Sequence, residues 1–211
     1  MNSWQALFAV LVLLAGCGTV GEEDAPLGQA IAALSGPAEF EPRFIALLKA
    51  EAPALQVGFI EKETNGTMLL ERRKGAFEFW LSSDGGQLIL QGGILHGTRG
   101  FGEGLLASEL SEPLAHVRGL RAGYSDRFHT YLDGNDRALT RTYRCVIELA
   151  GPRDLPFTTG NVATQLVRED CQSLTQSFRN LYWVVPGTGR IVQSRQWAGP
   201  FLGDISTRIL Q

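Results

Sequence analysis

The chain has 211 residues, of which 44% are apolar, so it can form one folded domain with a substantial core. Its formal charge is only −3, from 19 basic and 22 acidic side chains, and it contains no long basic run. A surface that follows the phosphates of a nucleic acid therefore has no support in the composition. The 25 glycines suit many tight turns between short strands.

The N-terminus is typical of an export signal. Residues 6–16, "ALFAVLVLLAG", are too few to span a bilayer but fit the hydrophobic region of a signal peptide. The run ends in Leu14-Ala15-Gly16-Cys17, which resembles the box in which bacterial lipoproteins are cleaved and acylated. We therefore predict a signal peptide over residues 1–16 and a lipidated Cys17. The alternative is an ordinary secretory signal with Cys17 lost or buried.

The residues around Cys17 also predict a location. Gly18 follows the cysteine, where an aspartate would resemble an inner-membrane retention signal. We therefore predict a lipid anchor in the outer membrane, with the protein on its periplasmic face. Each buried CH₂ of an acyl chain contributes about 0.8 kcal/mol, so several chains hold a protein permanently. Residues 17–36 are small and polar enough to form a flexible tether, and residues 37–211 form a single β-rich domain.

Two further cysteines, Cys145 and Cys171, remain once Cys17 is assigned to lipid. An exported protein meets an oxidising compartment, so we predict a disulfide between them. The alternatives are two buried free thiols or a metal pair. Neither a histidine nor a third cysteine stands at ligand spacing, so we predict no metal site.

The first element after the tether is a helix. The segment from Pro42 to Glu51 places Phe44, Leu47 and Leu48 on one helical face, and its proline suits the first turn. Beyond it the pattern changes to short strands separated by turn residues. The predicted strand segments and turns are "ALQVGFIEKE", a turn at Asn65-Gly66, "TMLLERR", "AFEFWLS", a turn at Asp84-Gly85-Gly86, "QLILQGGILHGT", "RFHTYLD", a turn at residues 133–136, "RALTRTYRCVIELAG" and "NVATQLVREDCQ".

Residues 99–123 are less regular, and "EGLLASEL" within them reads as a short helix or a loop. The clearest hairpin follows near the C-terminus, where Pro186-Gly187-Thr188-Gly189 separates two β-prone runs. A four-residue loop there pairs Val185 with Arg190 and Trp183 with Val192, while Val184 meets Ile191 on the other face. The sequence thus predicts a mainly β protein: an antiparallel meander forming an open curved sheet or partial barrel, with one N-terminal helix packed against it.

Catalytic and cofactor motifs are missing from the sequence. It has no G-x-S-x-G elbow, and the glycines of "GTRGFGEGLL" lack the Gly-Lys-Ser/Thr of a phosphate loop, so we read that segment as a turn with Arg99 exposed. His96, His116 and His129 are widely separated and read as surface or hydrogen-bonded strand residues. We predict no catalytic residue and no cofactor.

Two other functions stay open at this stage. The first is a polysaccharide-modifying hydrolase with a carboxylate pair on neighbouring strands. The candidate acids are Glu61, Glu63, Glu71 and Glu78. The second is a carrier of an apolar ligand, which would require a dry internal cavity of several hundred Å³.

Exposed aromatic and basic side chains are the candidates for binding. Arg195 and Trp197 stand two residues apart on one strand and share a face. Trp183 offers a flat apolar ring that suits a pyranose, and Arg99 offers a charge in the glycine-rich turn. We predict that Arg99, Trp183, Arg195 and Trp197 contact a glycan or a protein partner.

A set of residues near the C-terminus forms a motif: Asn180, Tyr182-Trp183-Val184, Thr188-Gly189, Gln193-Ser194-Arg195-Gln196 and Trp197. The upstream segments "GFIEKE" and "LILQGGILHGTRGFGEGLL" go with it. In these residues the chain resembles the YjbF/GfcB family of bacterial lipoproteins, which is linked to group 4 capsule and exopolysaccharide secretion. The resemblance implies a non-catalytic outer-membrane lipoprotein that acts as an accessory or binding component. Its implied partners are periplasmic proteins of the GfcC type and outer-membrane β-barrels of the YjbH/GfcD type, and the polysaccharide itself is a further candidate.

Overall fold

The computed structural model describes residues 40–132, 135 and 137–210 of the chain. The predicted signal peptide, the predicted lipidation site Cys17 and the predicted tether lie outside the described residues. Neither helix in the described part is long and apolar enough to cross a membrane.

Two helices and twelve strands make up this part of the chain. The helices are α1 (Pro42–Lys49) and α2 (Ser111–Arg118). The strands are β1 (Ala54–Phe59), β2 (Thr64–Lys74), β3 (Phe77–Leu81), β4 (Gln87–Gln91), β5 (Ile94–Arg99), β6 (Leu105–Ser108), β7 (Gly123–Leu132), β8 (Ala138–Phe157), β9 (Gly160–Gln172), β10 (Ser177–Val185), β11 (Arg190–Trp197) and β12 (Asp204–Ile209).

All twelve strands belong to one antiparallel sheet, in the order β5-β4-β3-β2-β1-β12-β11-β10-β9-β8-β7-β6. The last strand, β12, pairs with the first strand, β1, and both lie in the middle of the sheet. The two edge strands of the sheet, β5 and β6, approach each other: a nitrogen of His96 on β5 lies 2.8 Å from the carbonyl oxygen of Ser108 on β6. The sheet is therefore a nearly closed, barrel-like meander, which confirms the predicted fold class.

The inner face of the sheet holds most of the core. One cluster joins strands from both halves of the sheet, including Leu55, Leu88 and Leu105. A second lies beneath α2, whose Val117 packs with Ile147. These side chains fill most of the interior.

Helix α1 packs on the outer face, where Phe44 contacts Leu69 and Leu81. The helix ends at Lys49, two residues before the predicted end. Leu48 was predicted to share the buried face, but it is 57% exposed, so that part of the prediction is wrong. Leu47, the third residue predicted on this face, is partly buried and packs against the same cluster.

The first hairpin turns earlier than the sequence predicts. The turn lies at Ile60–Glu63, where Glu63 has a φ of 52°, and Asn65 and Gly66 belong to β2. This register sets Met68 opposite Leu55, so that both side chains are buried. Burial of apolar side chains thus outweighs the local turn preference of Asn-Gly.

Two other segments differ from the prediction. "QLILQGGILHGT" is not one strand but two, because Gly92 and Gly93 adopt positive φ values and turn the chain between β4 and β5. "EGLLASEL" contains β6 rather than a helix or a loop, and α2 follows it. Pro113 lies in the first turn of α2, where a missing N–H leaves no hydrogen bond broken.

The inner face also contains a buried ion pair. Arg127 on β7 and Glu169 on β9 are 2% and 0% exposed, and two N–H···O bonds of 2.8 Å join them. Asn180 and Tyr182 on β10 donate to the same carboxylate at 2.8 and 2.9 Å. Every carboxylate oxygen thus has a partner, as a charge removed from water requires.

The predicted disulfide is present. Cys145 on β8 and Cys171 on β9 stand directly opposite each other in the antiparallel register and are bonded. Both are buried against Tyr143 and Phe178.

Candidate binding groove

A β-bulge in the C-terminal hairpin determines which side chains share a face. Val185 pairs with Arg190 and Val184 with Ile191, as predicted, but Trp183 pairs with Gln193 and not with Val192. The prediction for Trp183 is wrong because Val192 is the extra residue of the bulge and is buried beside Ile191. Beyond the bulge, Trp183 and Arg195 lie on the same outer face of the sheet.

Trp183 is one end of a row that crosses four neighbouring strands. The register pairs Gln56 on β1 with Arg208 on β12, Arg208 with Gln193 on β11, and Gln193 with Trp183 on β10. Neighbouring strands lie about 4.8 Å apart, so the row is about 14 Å long. It presents one aromatic ring followed by amide and guanidinium groups.

These residues line a groove of about 440 Å³ on the outer face, here called the outer groove. It is bounded on one side by β2 and on the other by β10. Its lining side chains are mostly polar, with one tryptophan and two arginines: Gln56, Asn65, Trp183, Gln193, Arg195, Ser206 and Arg208.

Both arginines are held in place by neighbours. Arg195 donates from Nε to Asp204 over 2.7 Å, and the carboxylate of Asp204 neutralises its charge. Arg208 donates to the amide oxygen of Gln193 over 3.3 Å. The groove therefore offers positioned hydrogen-bond donors, and a carboxylate neutralises one of its two arginine charges.

The tip of the β8–β9 hairpin lies beside the groove. A bulge between Leu149 and Pro152 bends β8. Arg208 donates to the carbonyl oxygen of Pro156, and its guanidinium lies 4.5 Å from the centre of the Phe157 ring. One arginine thus both lines the groove and anchors the hairpin tip.

The structure brings together only two of the four predicted contact residues. Trp183 and Arg195 line the outer groove. Trp197 is half-buried and stacks on Phe178, with ring centres 6.1 Å apart, so it belongs to the core rather than to the binding surface. Arg99 is exposed, as predicted, but it ends β5, which five strands separate from β11 in the sheet order. A contact role for Arg99 stays a prediction.

Glu71 and Glu78, two of the four carboxylates of the hydrolase alternative, do not share a cleft. Glu71 lies on the face covered by α1, where Arg43 and Gln87 donate to it. Glu78 lies on the inner face beside Trp80, where Arg73 donates to it over 3.1 Å. Glu61 accepts a bond from the Asp204 backbone. The sheet separates Glu71 from Glu78, so this pair cannot flank one glycosidic bond.

The histidines do not form a cluster in the described residues. His96 bonds to Ser108 and His116 to the carbonyl oxygen of Arg121. His129 is buried, and its Nδ1 lies 2.9 Å from the hydroxyl of Tyr131. Cys145, Cys171 and Glu169 lie close enough together to suggest a metal site, but the two sulfurs are bonded to each other.

Sequence reasoning missed the polar half of the groove. Alternation in "ALQVGF" and "DISTRI" puts Gln56 and Arg208 on the face away from the buried residues, which marks them as outward-facing. Their pairing with each other could not be predicted, because it joins the first strand to the last.

On its outer face the nearly closed antiparallel sheet thus carries a polar groove that ends in an aromatic ring. Residues 29–210 match the family model described as group 4 capsule polysaccharide lipoprotein gfcB, YjbF, and the chain belongs to this family.

One solved structure supports the same fold. The hypothetical lipoprotein YmcC from Escherichia coli K12 is similar with a TM-score of 0.68 and 18% identity, over 92% of this chain and 97% of that one. An exported protein from Bacteroides fragilis with a YmcC-like fold gives a TM-score of 0.30 and 7% identity, over 74% and 92% of the chains. No curated protein sequence matches the chain.

Proposed function

We propose that this protein is a non-catalytic, lipid-anchored component of capsule polysaccharide secretion, and that its outer groove binds the polysaccharide. Cys17 carries the acyl chains and holds the domain at the periplasmic face of the outer membrane. The observation that carries the proposal is the row from Gln56 to Trp183, which presents a flat ring followed by amide and guanidinium groups.

The chemistry of this row suits a glycan. The apolar face of a pyranose packs on an indole ring, while the hydroxyl groups around its edge exchange hydrogen bonds with amides and guanidinium groups. Gln56, Asn65 and Gln193 supply both donors and acceptors, and Arg208 supplies donors. Because Asp204 balances Arg195, the groove does not depend on a strongly anionic ligand.

A binding role also explains why the C-terminal hairpin carries no cysteine, histidine or carboxylate. Rigid strands hold the groove residues in fixed positions, and recognition needs shape and hydrogen bonds only. We further propose that an outer-membrane β-barrel and periplasmic proteins of the same export system are its partners.

A strain that lacks the gene tests this proposal. Wild-type protein should restore surface polysaccharide, whereas Cys17→Ser and the double variant Trp183→Ala/Arg195→Ala should restore less than about a tenth of it. Tyr124→Ala is the matched control, since Tyr124 is an exposed aromatic residue on β7, outside the groove. Full secretion by both test variants at normal protein levels would refute the proposal.

A further inference from the structure

A second cavity lies at one end of the barrel-like sheet, on its inner face and therefore separate from the outer groove. It has a volume of about 580 Å³, within the range of small-molecule sites, and is here called the end cavity. Its walls come from β1, β3, β4, β11 and β12, and α2 adds Arg118 at the rim.

The floor of the end cavity is apolar. Leu55, Trp80, Leu90 and Ile191 line it and are all at least nine-tenths buried. Gly93 completes one wall, where an added Cβ would lie 2.8 Å from Ile191. This is not the dry apolar chamber that a carrier of a purely apolar ligand requires, because charged residues surround the opening.

The rim of the end cavity is cationic. Arg73 from the β2–β3 hairpin, Arg118 from α2 and Arg190 from the start of β11 converge there, three elements far apart in sequence. Glu78 is the one acid among the described residues that line the cavity, and Arg73 already pairs with it. Arg118 donates to the carbonyl oxygen of Gly189, which leaves its charge unbalanced.

An apolar floor beneath two unbalanced arginines is complementary to an anion that carries a hydrocarbon chain. Neither half of the cavity suits a neutral sugar, because the floor presents few hydrogen-bonding groups and the rim favours negative charge. Guanidinium groups match phosphate oxygens with paired hydrogen bonds.

We propose that the end cavity binds a single hydrocarbon chain headed by a phosphate, with the chain on the Trp80 floor and the phosphate between Arg118 and Arg190. A lysophospholipid and a lipid-linked sugar phosphate share this chemistry. The proposal does not depend on the outer groove, because the two sites lie on opposite faces of the sheet.

Titration calorimetry on the mature chain carrying Cys17→Ser tests it with two amphiphiles below their critical micelle concentrations and with inorganic phosphate. Dodecyl phosphate should bind with one site per chain, and dodecyl maltoside and inorganic phosphate should each bind at least tenfold more weakly. The tryptophan emission of the wild-type protein should shift on binding, and the shift should be lost in Trp80→Phe.

Substitutions then locate the phosphate. Arg190→Gln should weaken dodecyl phosphate at least tenfold and leave dodecyl maltoside unchanged. Arg153→Gln is the matched control, an exposed arginine on β8 outside the cavity. Equal binding of dodecyl phosphate and dodecyl maltoside, equal binding of inorganic phosphate, or no binding of dodecyl phosphate would each overturn the proposal. Unchanged affinity in Arg190→Gln, with a native circular dichroism spectrum, would do so as well.

Discussion

Arg127 and Glu169 form a bidentate ion pair inside the sheet, with both N···O distances at 2.8 Å. Burial alone would lower the pKa of Arg127, but the charge and hydrogen bonds of Glu169, together with Tyr182 and Tyr131, outweigh it and raise that pKa, so the guanidinium stays charged. Asn180 links the pair to the C-terminal hairpin, since its Oδ1 accepts from the backbone N–H of Trp197 over 2.8 Å. The pair therefore fixes β7, β9, β10 and β11 relative to one another.

Glu169→Gln should lower the free energy of unfolding by about 3 to 5 kcal/mol, because it leaves the buried charge of Arg127 without a counter-ion. Urea denaturation monitored by circular dichroism measures the change. Glu148→Gln is the control, since Glu148 pairs with Arg168 at the surface and should cost less than about 1 kcal/mol. Similar losses of unfolding free energy in the two variants would show that the buried ion pair stabilises the fold no more than a surface pair does.

His129 should make stability depend on pH. Burial, and then the positive charge of Arg127, hold the pKa of His129 well below 6.5. Below about pH 6.5 the unfolded chain therefore binds a proton that the folded protein does not, so stability falls as pH decreases, by up to about 1.4 kcal/mol per unit. Urea denaturation at pH 7.5 and 5.5 should show this fall in the wild type.

The variant His129→Phe should have a smaller fall over the same pH range, because its ring binds no proton in either state. Phe178 stacks on the His129 ring at 5.4 Å, so a phenyl ring suits the site. His116→Gln, at a histidine near the surface of α2, is the control and should keep the full fall. If His129→Phe lost as much stability between pH 7.5 and 5.5 as the wild type does, His129 would be excluded as the source of the pH dependence.

Reduction of the Cys145–Cys171 disulfide should also lower stability. A disulfide that spans 26 positions restricts the unfolded chain, and its loss costs about 3 to 4 kcal/mol in the chain-entropy model. Dithiothreitol should therefore lower the urea midpoint of the wild type. The double variant Cys145→Ala/Cys171→Ala should start at the lower midpoint and not respond to the reductant. A wild-type midpoint that does not change with reductant would contradict this prediction.

The hairpin tip beside the outer groove should loosen in Arg208→Ala. The substitution removes the bond to Pro156 and the contact with the Phe157 ring, together about 1 to 2 kcal/mol. Amide hydrogen exchange at Leu155 and Val162, which face each other across the hairpin, should accelerate about tenfold. Exchange at Cys145 serves as the internal reference. Equal acceleration at both places would indicate a global rather than a local effect.

Local sequence patterns predicted much of the sheet because alternation is a property of each strand alone. "AFEFWLS" and the run before Pro186 became β3 and β10. The signals that failed were those in which tertiary packing overrides a local preference. Asn65-Gly66 is a strong turn signal, yet burial of Met68 against Leu55 moved the turn.

The binding surfaces were harder to predict than the fold. Trp183 and Arg195 were identified as candidates. They share a face only because of the bulge at Val192, and the sequence marks that bulge only by the consecutive apolar residues Ile191 and Val192, both of which are buried. Gln56 and Arg208 meet only because β1 pairs with β12, a contact that no local pattern encodes. Trp197 was misassigned because the strand end turns its ring toward Phe178.

The most direct test is titration calorimetry of the mature Cys17→Ser chain with the purified capsular polysaccharide of its own strain, followed by measurement of the polymer's chain length. The account predicts saturable binding, at least tenfold weaker in Trp183→Ala and unchanged in Tyr124→Ala, and a polymer of unaltered length. Wild-type affinity in Trp183→Ala, or polymer shortened by the wild-type protein, would contradict it.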